Sequence, residues 1–183
     1  MNEKIVYTAL DLEVDFYEQI LTTELANTLY TYLDILLPAE KNRSNTLFGD
    51  PCVIYKSGYR QNGTEVIDWD LLPGLPDLKK LVEEITEQKY NVCAINRYPN
   101  GKIGILPHQD REMGIRRQIA GLSLGATRTI EFTRTNHEPI KISLNSGSLY
   151  VMKGLTNKKW LHSIIKESKI KDTRFSLTFR DYV

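Results

Sequence analysis

His108-Gln109-Asp110 sets an imidazole and a carboxylate two positions apart, and His162 follows some fifty residues later within Trp160-Leu161-His162-Ser163. Alternate side chains of an extended chain share a face, so His108 and Asp110 can offer ligand atoms from one strand or its rim. Two imidazoles and one carboxylate are the donor set that holds non-haem Fe(II) on one octahedral face and leaves three positions open. Open positions mean catalysis. Each part alone has a plainer explanation: an H-x-D pair on a solvated loop, and a hydrogen-bonded core histidine beside an apolar strand. The third histidine, His137, lies in the turn Thr135-Asn136-His137-Glu138-Pro139 and is expected to be solvated. The two cysteines, Cys52 and Cys93, are too few for a disulfide framework or a CxxC cage, so a metal must rest on His and carboxylate.

A second constellation ends the chain. In Arg174-Phe175-Ser176-Leu177-Thr178-Phe179-Arg180 the apolar side chains alternate with polar ones. A strand would therefore turn Phe175, Leu177 and Phe179 toward a core, and Arg174, Ser176, Thr178 and Arg180 toward a face suited to an anion. An edge strand with one solvated face would read the same way. Two arginines six residues apart lie ~20 Å apart in a flat strand, so they serve different roles unless the strand curves strongly.

Periodicity supplies the elements that must position these groups. Residues 15 to 37 place Phe16, Ile20, Leu25, Leu29, Leu33 and Leu36 at helical steps, which predicts one amphipathic helix stopped by Pro38. Residues 41 to 63 read as loop and irregular strand around a short apolar segment, 52–55. Pro76 opens a second helix, carried by Leu78, Leu81, Val82 and Ile85 and ending near Gln88. The pattern then changes period. Segments 92–98, 104–106, 119–124, 128–133, 140–144, 148–152, 161–165 and 174–179 are short, rich in β-formers and separated by turn residues. Eight strands in this stretch predict a sandwich or barrel. The expected fold is mainly β with N-terminal helices (α+β), a jelly-roll core over 92–183 supported by 1–91, in a single domain spanning 1–183.

Composition bounds the setting. Hydrophobic residues make up 41% and charged residues 26% of the 183, the balance of an ordinary globular domain. No apolar run approaches a membrane span and no secretory leader is apparent, so a soluble intracellular protein, cytoplasmic or nuclear, is expected. The net charge of +1 conceals polarity: residues 1–91 hold 16 acidic and 8 basic side chains, whereas 92–183 hold 7 and 16. Such a split is compatible with a polyanionic partner on the basic half, and equally with a mixed solvated surface if the fold intermixes the halves.

Several segments together resemble the AlkB family of Fe(II)/2-oxoglutarate dioxygenases. They are Asn96-Arg97-Tyr98-Pro99-Asn100-Gly101, the spacing His108-x-Asp110-x-Glu112, Ser123-Leu124-Gly125, Gly147-Ser148, Trp160-x-His162-Ser163 and the run from Arg174 to Arg180. Phe48-Gly49-Asp50 and Tyr55 are similar to that family's nucleotide-recognition lid. The resemblance implies a double-stranded β-helix, a form of jelly roll, with Fe(II), 2-oxoglutarate as cosubstrate and O2. It implies that His108, Asp110 and His162 are the catalytic metal ligands. It further implies that Arg174 pairs with the distal carboxylate of 2-oxoglutarate and that Arg180 sits near the 1-carboxylate. Asn96, Tyr98, Ser176 and Thr178 would complete the cosubstrate site, Ser176 standing where some relatives carry asparagine.

The implied reaction is oxidative demethylation of N-alkylated nucleic-acid bases, releasing formaldehyde, succinate and CO2. A base reaches such a centre only from a single strand or when rotated out of a duplex. Tyr55 and the His108 ring resemble the aromatic sandwich for that base, and Glu112 the carboxylate that reads its exocyclic amine. Expected partners are methylated single- or double-stranded DNA or RNA. Ser57 stands where duplex-acting relatives carry an aromatic, which makes single-stranded DNA or RNA at least as well matched a substrate as duplex. Arg116, Arg117, Lys158, Lys159, Lys166, Lys169 and Lys171 are candidate phosphate contacts, or solvated loop charge. A monomer is expected. A protein or small-molecule substrate on the same cofactors is the alternative.

Overall fold

The computed structural model describes residues 3–37, 39–51, 53–57, 60–111 and 118–182, with the backbone alone across 54–57 and 60–65. In chain order the strands are β1 (Lys4–Ala9), β2 (Leu12–Tyr17), β3 (Ser44–Gly49), β4 (Ile54–Ser57), β5 (Arg60–Glu65), β6 (Ile67–Asp68) and β7 (Val92–Tyr98). They continue with β8 (Ile105–His108), β9 (Ile119–Gly125), β10 (Arg128–Thr133), β11 (Ile140–Leu144), β12 (Leu149–Met152), β13 (Leu161–Ile164) and β14 (Arg174–Arg180). Helices α1 (Thr23–Leu36) and α2 (Leu75–Thr86) precede β7, and the one-turn α3 (Thr156–Lys159) separates β12 from β13. Among the described residues no helix is long and apolar enough to cross a membrane.

The helix expected from residue 15 starts eight residues later. Leu12, Val14 and Phe16 are buried at alternate positions, so this stretch is strand β2, paired antiparallel with β1. Helix α1 begins only where the Thr22 hydroxyl accepts from the Leu25 amide at 3.2 Å, the capping bond that a Ser or Thr side chain makes at a helix start. Helix α2 has Pro76 in its first turn, as expected, and enters through Gly74 at φ +81°. A Cβ there would also press within 2.8 Å of Leu29 on α1. Within 41–63 the structure replaces irregular chain by β3, which carries too few apolar side chains to announce itself and is held by its antiparallel pairing with β7. The eight strands expected after residue 91 are present as β7 to β14, most within a residue of the expected ends.

The architecture is a jelly roll. A major sheet runs β1-β2-β12-β9-β14-β7-β3-β6 and a minor sheet β11-β10-β13-β8, while β4 and β5 pair separately. Four of the eight major-sheet strands come from the first 91 residues, so the acidic and basic halves of the sequence interleave. Strand β14 lies between β9 and β7 and is buried on both faces, so it is not an edge strand. Its Phe175, Leu177 and Phe179 enter a core shared with Leu29 and Leu33 of α1 and Leu78 and Val82 of α2. The opposite face of the major sheet packs on the minor sheet through Val14, Phe16, Ile130, Phe132, Tyr150 and Ile164. The layers are thus helix, major sheet, minor sheet, and Arg174, Ser176, Thr178 and Arg180 point between the two sheets.

Candidate active site

Strands β8 and β13 run antiparallel with His108 directly opposite His162. Sheet pairing therefore converts a separation of some fifty residues into a cross-strand neighbour. Asp110 follows the end of β8, and its Oδ1 stands 3.6 Å from His108 Nε2 and 3.7 Å from His162 Nε2. One ligand atom from each of the three lies within 4.8 Å of the others. His108 Nδ1 is 2.8 Å from the Leu106 carbonyl oxygen. A carbonyl can only accept, so Nδ1 carries the proton and the Nε2 lone pair faces the centre.

Electrostatics acts differently on the three groups. Burial pushes His162 down to about 4, against the pull of Asp110, so it is neutral near pH 7 as a metal ligand must be. For His108, burial acts the same way, but Asp110 and the Leu106 carbonyl outweigh it and raise its pKa. Burial would raise the Asp110 carboxyl; the Arg180 guanidinium and the two imidazoles reverse this and hold it far below the usual carboxylate range. Arg180 donates from Nε and Nη2 to Asp110 Oδ2 at 3.2 and 2.7 Å. The carboxylate is thus divided, one oxygen for the histidines and one for the arginine.

Asn157 completes the grip. Its Oδ1 accepts from the Asp110 amide and its Nδ2 donates to the Asp110 carbonyl, both at 2.9 Å, while Gln109 Nε2 donates to the Lys158 carbonyl at 2.7 Å. Helix α3 therefore holds the His108–Asp110 segment by its main chain. Sequence reasoning missed Asn157, because an asparagine in a one-turn helix gives no linear sign of a contact 47 residues away. We expect Asn157→Ala to weaken Mn(II) or Fe(II) binding ~10-fold or more, the usual cost of losing a group that orients a ligand. Metal titration with circular dichroism as a fold control measures it; wild-type affinity would show that the clamp does not matter.

Arg174 lies deeper on the same face of β14 and is fully buried. Its Nε donates to Ser123 Oγ at 2.8 Å, its guanidinium lies 5.3 Å from the Tyr98 ring centre, and Nη1 and Nη2 have no hydrogen-bond partner. A buried cation with two unused donors is costly unless an anion joins it. A carboxylate beside the triad fits that demand. Ser176 and Thr178 are buried on this face. Asn96, opposite Ser176 on β7, accepts through Oδ1 from Arg43 and from Asn45 Nδ2, the latter at 3.1 Å.

The remaining candidates scatter. Tyr55 lies on β4, with its side chain outside the described set, as is that of Ser57; Glu112, Arg116 and Arg117 lie outside the described residues altogether. His137 is not solvated as expected but half-buried, its ring 5.3 Å from that of Trp160, and it takes no part in the triad. Exposed Lys158 and Lys159 sit on α3 next to Asp110. Lys166, Lys169 and Lys171 are exposed on the loop that leads from β13 to Arg174.

A jelly roll that joins a two-histidine, one-carboxylate face to a buried arginine awaiting an anion is the frame of a metal- and diacid-dependent oxygenase. Residues 41–180 match the model of the 2OG-Fe(II) oxygenase superfamily, and the chain belongs to that superfamily, within its AlkB family. The protein named alpha-ketoglutarate-dependent dioxygenase alkB homolog 3 from Homo sapiens is 38% identical over 120 residues, covering 59% of this chain and 42% of its own length. DNA oxidative demethylase ALKBH2 from Bos taurus is 32% identical over 149 residues, 75% of this chain and 52% of its own. The chain thus spans about half the length of the curated relatives it matches. The solved structure of OsALKBH1 covers 97% of this chain and 100% of its own at a TM-score of 0.64 and 14% identity, a likeness of fold. A prolyl hydroxylase from Trichoplax adhaerens, solved in complex with a peptide fragment, follows at 0.61 and 10%. Membership of this superfamily makes Fe(II), 2-oxoglutarate and O2 the cofactor set.

Proposed function

We propose that residues 1–183 act as one catalytic unit that oxidatively demethylates N-alkylated bases of DNA or RNA. The observation that carries this reading is the pairing, between the two sheets, of a three-ligand metal face with a buried cation lacking an anion. The demethylase relatives supply the substrate class. His108, Asp110 and His162 would hold Fe(II), and Arg174 would receive the distal carboxylate of 2-oxoglutarate with help from Tyr98, Asn96, Ser176 and Thr178. Arg180 acts through Asp110, and the 1-carboxylate end of the cosubstrate would lie nearby. When bound, Fe(II) with 2-oxoglutarate and O2 supplies the oxidation that turns an N-methyl group into an unstable hemiaminal, giving formaldehyde, succinate and CO2.

The chain's own contribution is placement and charge. Arg180 keeps Asp110 ionised, burial keeps His162 neutral, and the Leu106 carbonyl fixes the His108 tautomer. Tyr55 and Glu112 would sandwich and read the extruded base. Lys158 and Lys159, beside Asp110, would hold its phosphates. Replacing both lysines by alanine should weaken oligonucleotide binding and flatten its salt dependence by ~1 to 2 in log–log slope. An unchanged slope in a fluorescence-anisotropy salt series would remove them from the interface. A reducing intracellular compartment suits a ferrous centre, and the unit would act as a monomer.

The deciding experiment incubates the protein with Fe(II), ascorbate and 2-oxoglutarate on oligonucleotides bearing 1-methyladenine, 3-methylcytosine or N6-methyladenine, single- and double-stranded, followed by mass spectrometry. Loss of the methyl mass is expected, and Glu112→Ala should lose it while keeping its fold. Failure on every oligonucleotide would reject the nucleic-acid reading.

A further inference from the structure

We infer that Tyr150 is a binding residue for the diacid cosubstrate, its phenol donating to the distal carboxylate beside Arg174. The inference rests on the cosubstrate reading of Arg174 and adds a donor that no motif marks. Tyr150 lies on β12 opposite Gly121 of β9, in the cluster that fills the space between the sheets. A Cβ on Gly121 would run into Cε1, Cζ and Oη of that ring, the oxygen at 2.5 Å. Only a glycine leaves the phenol end room to cross β9.

That crossing carries it over β9 toward β14, where Arg174 is the largest charged influence on it. Gly121 pairs with Thr178 of β14. The next residue of β9 on the same face is Ser123, whose Oγ takes Arg174 Nε at 2.8 Å. Tyr98 stands against the guanidinium, while Nη1 and Nη2 await partners. Burial pushes the Tyr150 phenol up, although Arg174 opposes it, so the hydroxyl remains a donor. A carboxylate has about four acceptor positions. The two guanidinium nitrogens fill half of them, leaving room for hydroxyl donors.

Isothermal titration of the Mn(II)-loaded protein, without O2, tests this with 2-oxoglutarate and with 2-oxobutyrate, which lacks the distal carboxylate. Tyr150→Phe keeps the ring over Gly121 and should raise the Kd for 2-oxoglutarate ~10-fold or more, leaving that for 2-oxobutyrate unchanged. Gly121→Ala, which dislodges the phenol, should show the same selectivity. Equal 2-oxoglutarate affinities in wild type and Tyr150→Phe, or equal losses for both acids, would overturn the role of Tyr150. Absence of metal-dependent 2-oxoglutarate binding in the wild type would instead overturn the cosubstrate reading itself.

Discussion

Asp110→Asn is expected to bring succinate formation below detection and to weaken metal binding by at least ~100-fold. The substitution is nearly isosteric, so the effect is electrostatic. The wild-type carboxylate is buried, divides its oxygens between the two histidines and Arg180, and is held ionised by that arginine. An amide offers one neutral acceptor where the cation needs an anion, and its NH2 group would face either the metal or a guanidinium. The variant also removes the charge of Asp110 from the buried Asp110–Arg180 pair, and breaking a buried pair in this way costs ~3 to 5 kcal/mol. Thermal unfolding should therefore shift downward alongside the loss of turnover. Mn(II) titration and succinate release measure the first effect, and a variant that turns over at the wild-type rate would exclude Asp110 as a ligand.

Arg174→Lys should weaken 2-oxoglutarate binding by ~1.5 to 3 kcal/mol, the range for a hydrogen bond to a charged group, while metal binding stays intact. The guanidinium is planar and presents Nε to Ser123 while leaving Nη1 and Nη2 for a carboxylate. A lysine ammonium is a single strongly hydrated point and cannot keep the Ser123 contact while meeting two carboxylate oxygens. Its full burial adds a desolvation cost that arginine bears better. Calorimetric titration of the cosubstrate into Mn(II)-loaded protein separates this effect from the metal, since His108, Asp110 and His162 come from β8, the segment after it and β13, whereas Arg174 is on β14. An unchanged Kd for 2-oxoglutarate would remove Arg174 from the diacid site.

The two predictions meet in the strand that was most legible. Alternation from Arg174 to Arg180 assigned its faces correctly, because a fully extended segment leaves no choice about which side chains share a side. The separation of its arginines left two options, a strongly curved strand or two roles, and in the structure Arg180 contacts Asp110 while Arg174 contacts Ser123. Helical stepping misled at residues 15 to 22, where Phe16 and Ile20 mimic a helix face but Leu12, Val14 and Phe16 belong to a strand. Apolar residues at four-residue steps satisfy both periods over so short a stretch. Strand β3 escaped notice because its partner β7 supplies the order that its own composition lacks.

Residue types and spacing alone singled out His108, Asp110 and His162 as candidates, the apolar and polar faces of the last strand, and most of the strands after residue 91, since residue type and alternation are local properties of the chain. Tertiary structure decided that His162 stands opposite His108, that Asn157 clamps Asp110 by its main chain, and that the Tyr150 phenol rests on Gly121 near an arginine lacking an anion. Those are contacts between segments far apart in the chain, set by sheet register and by which buried groups find partners, and linear periodicity carries neither.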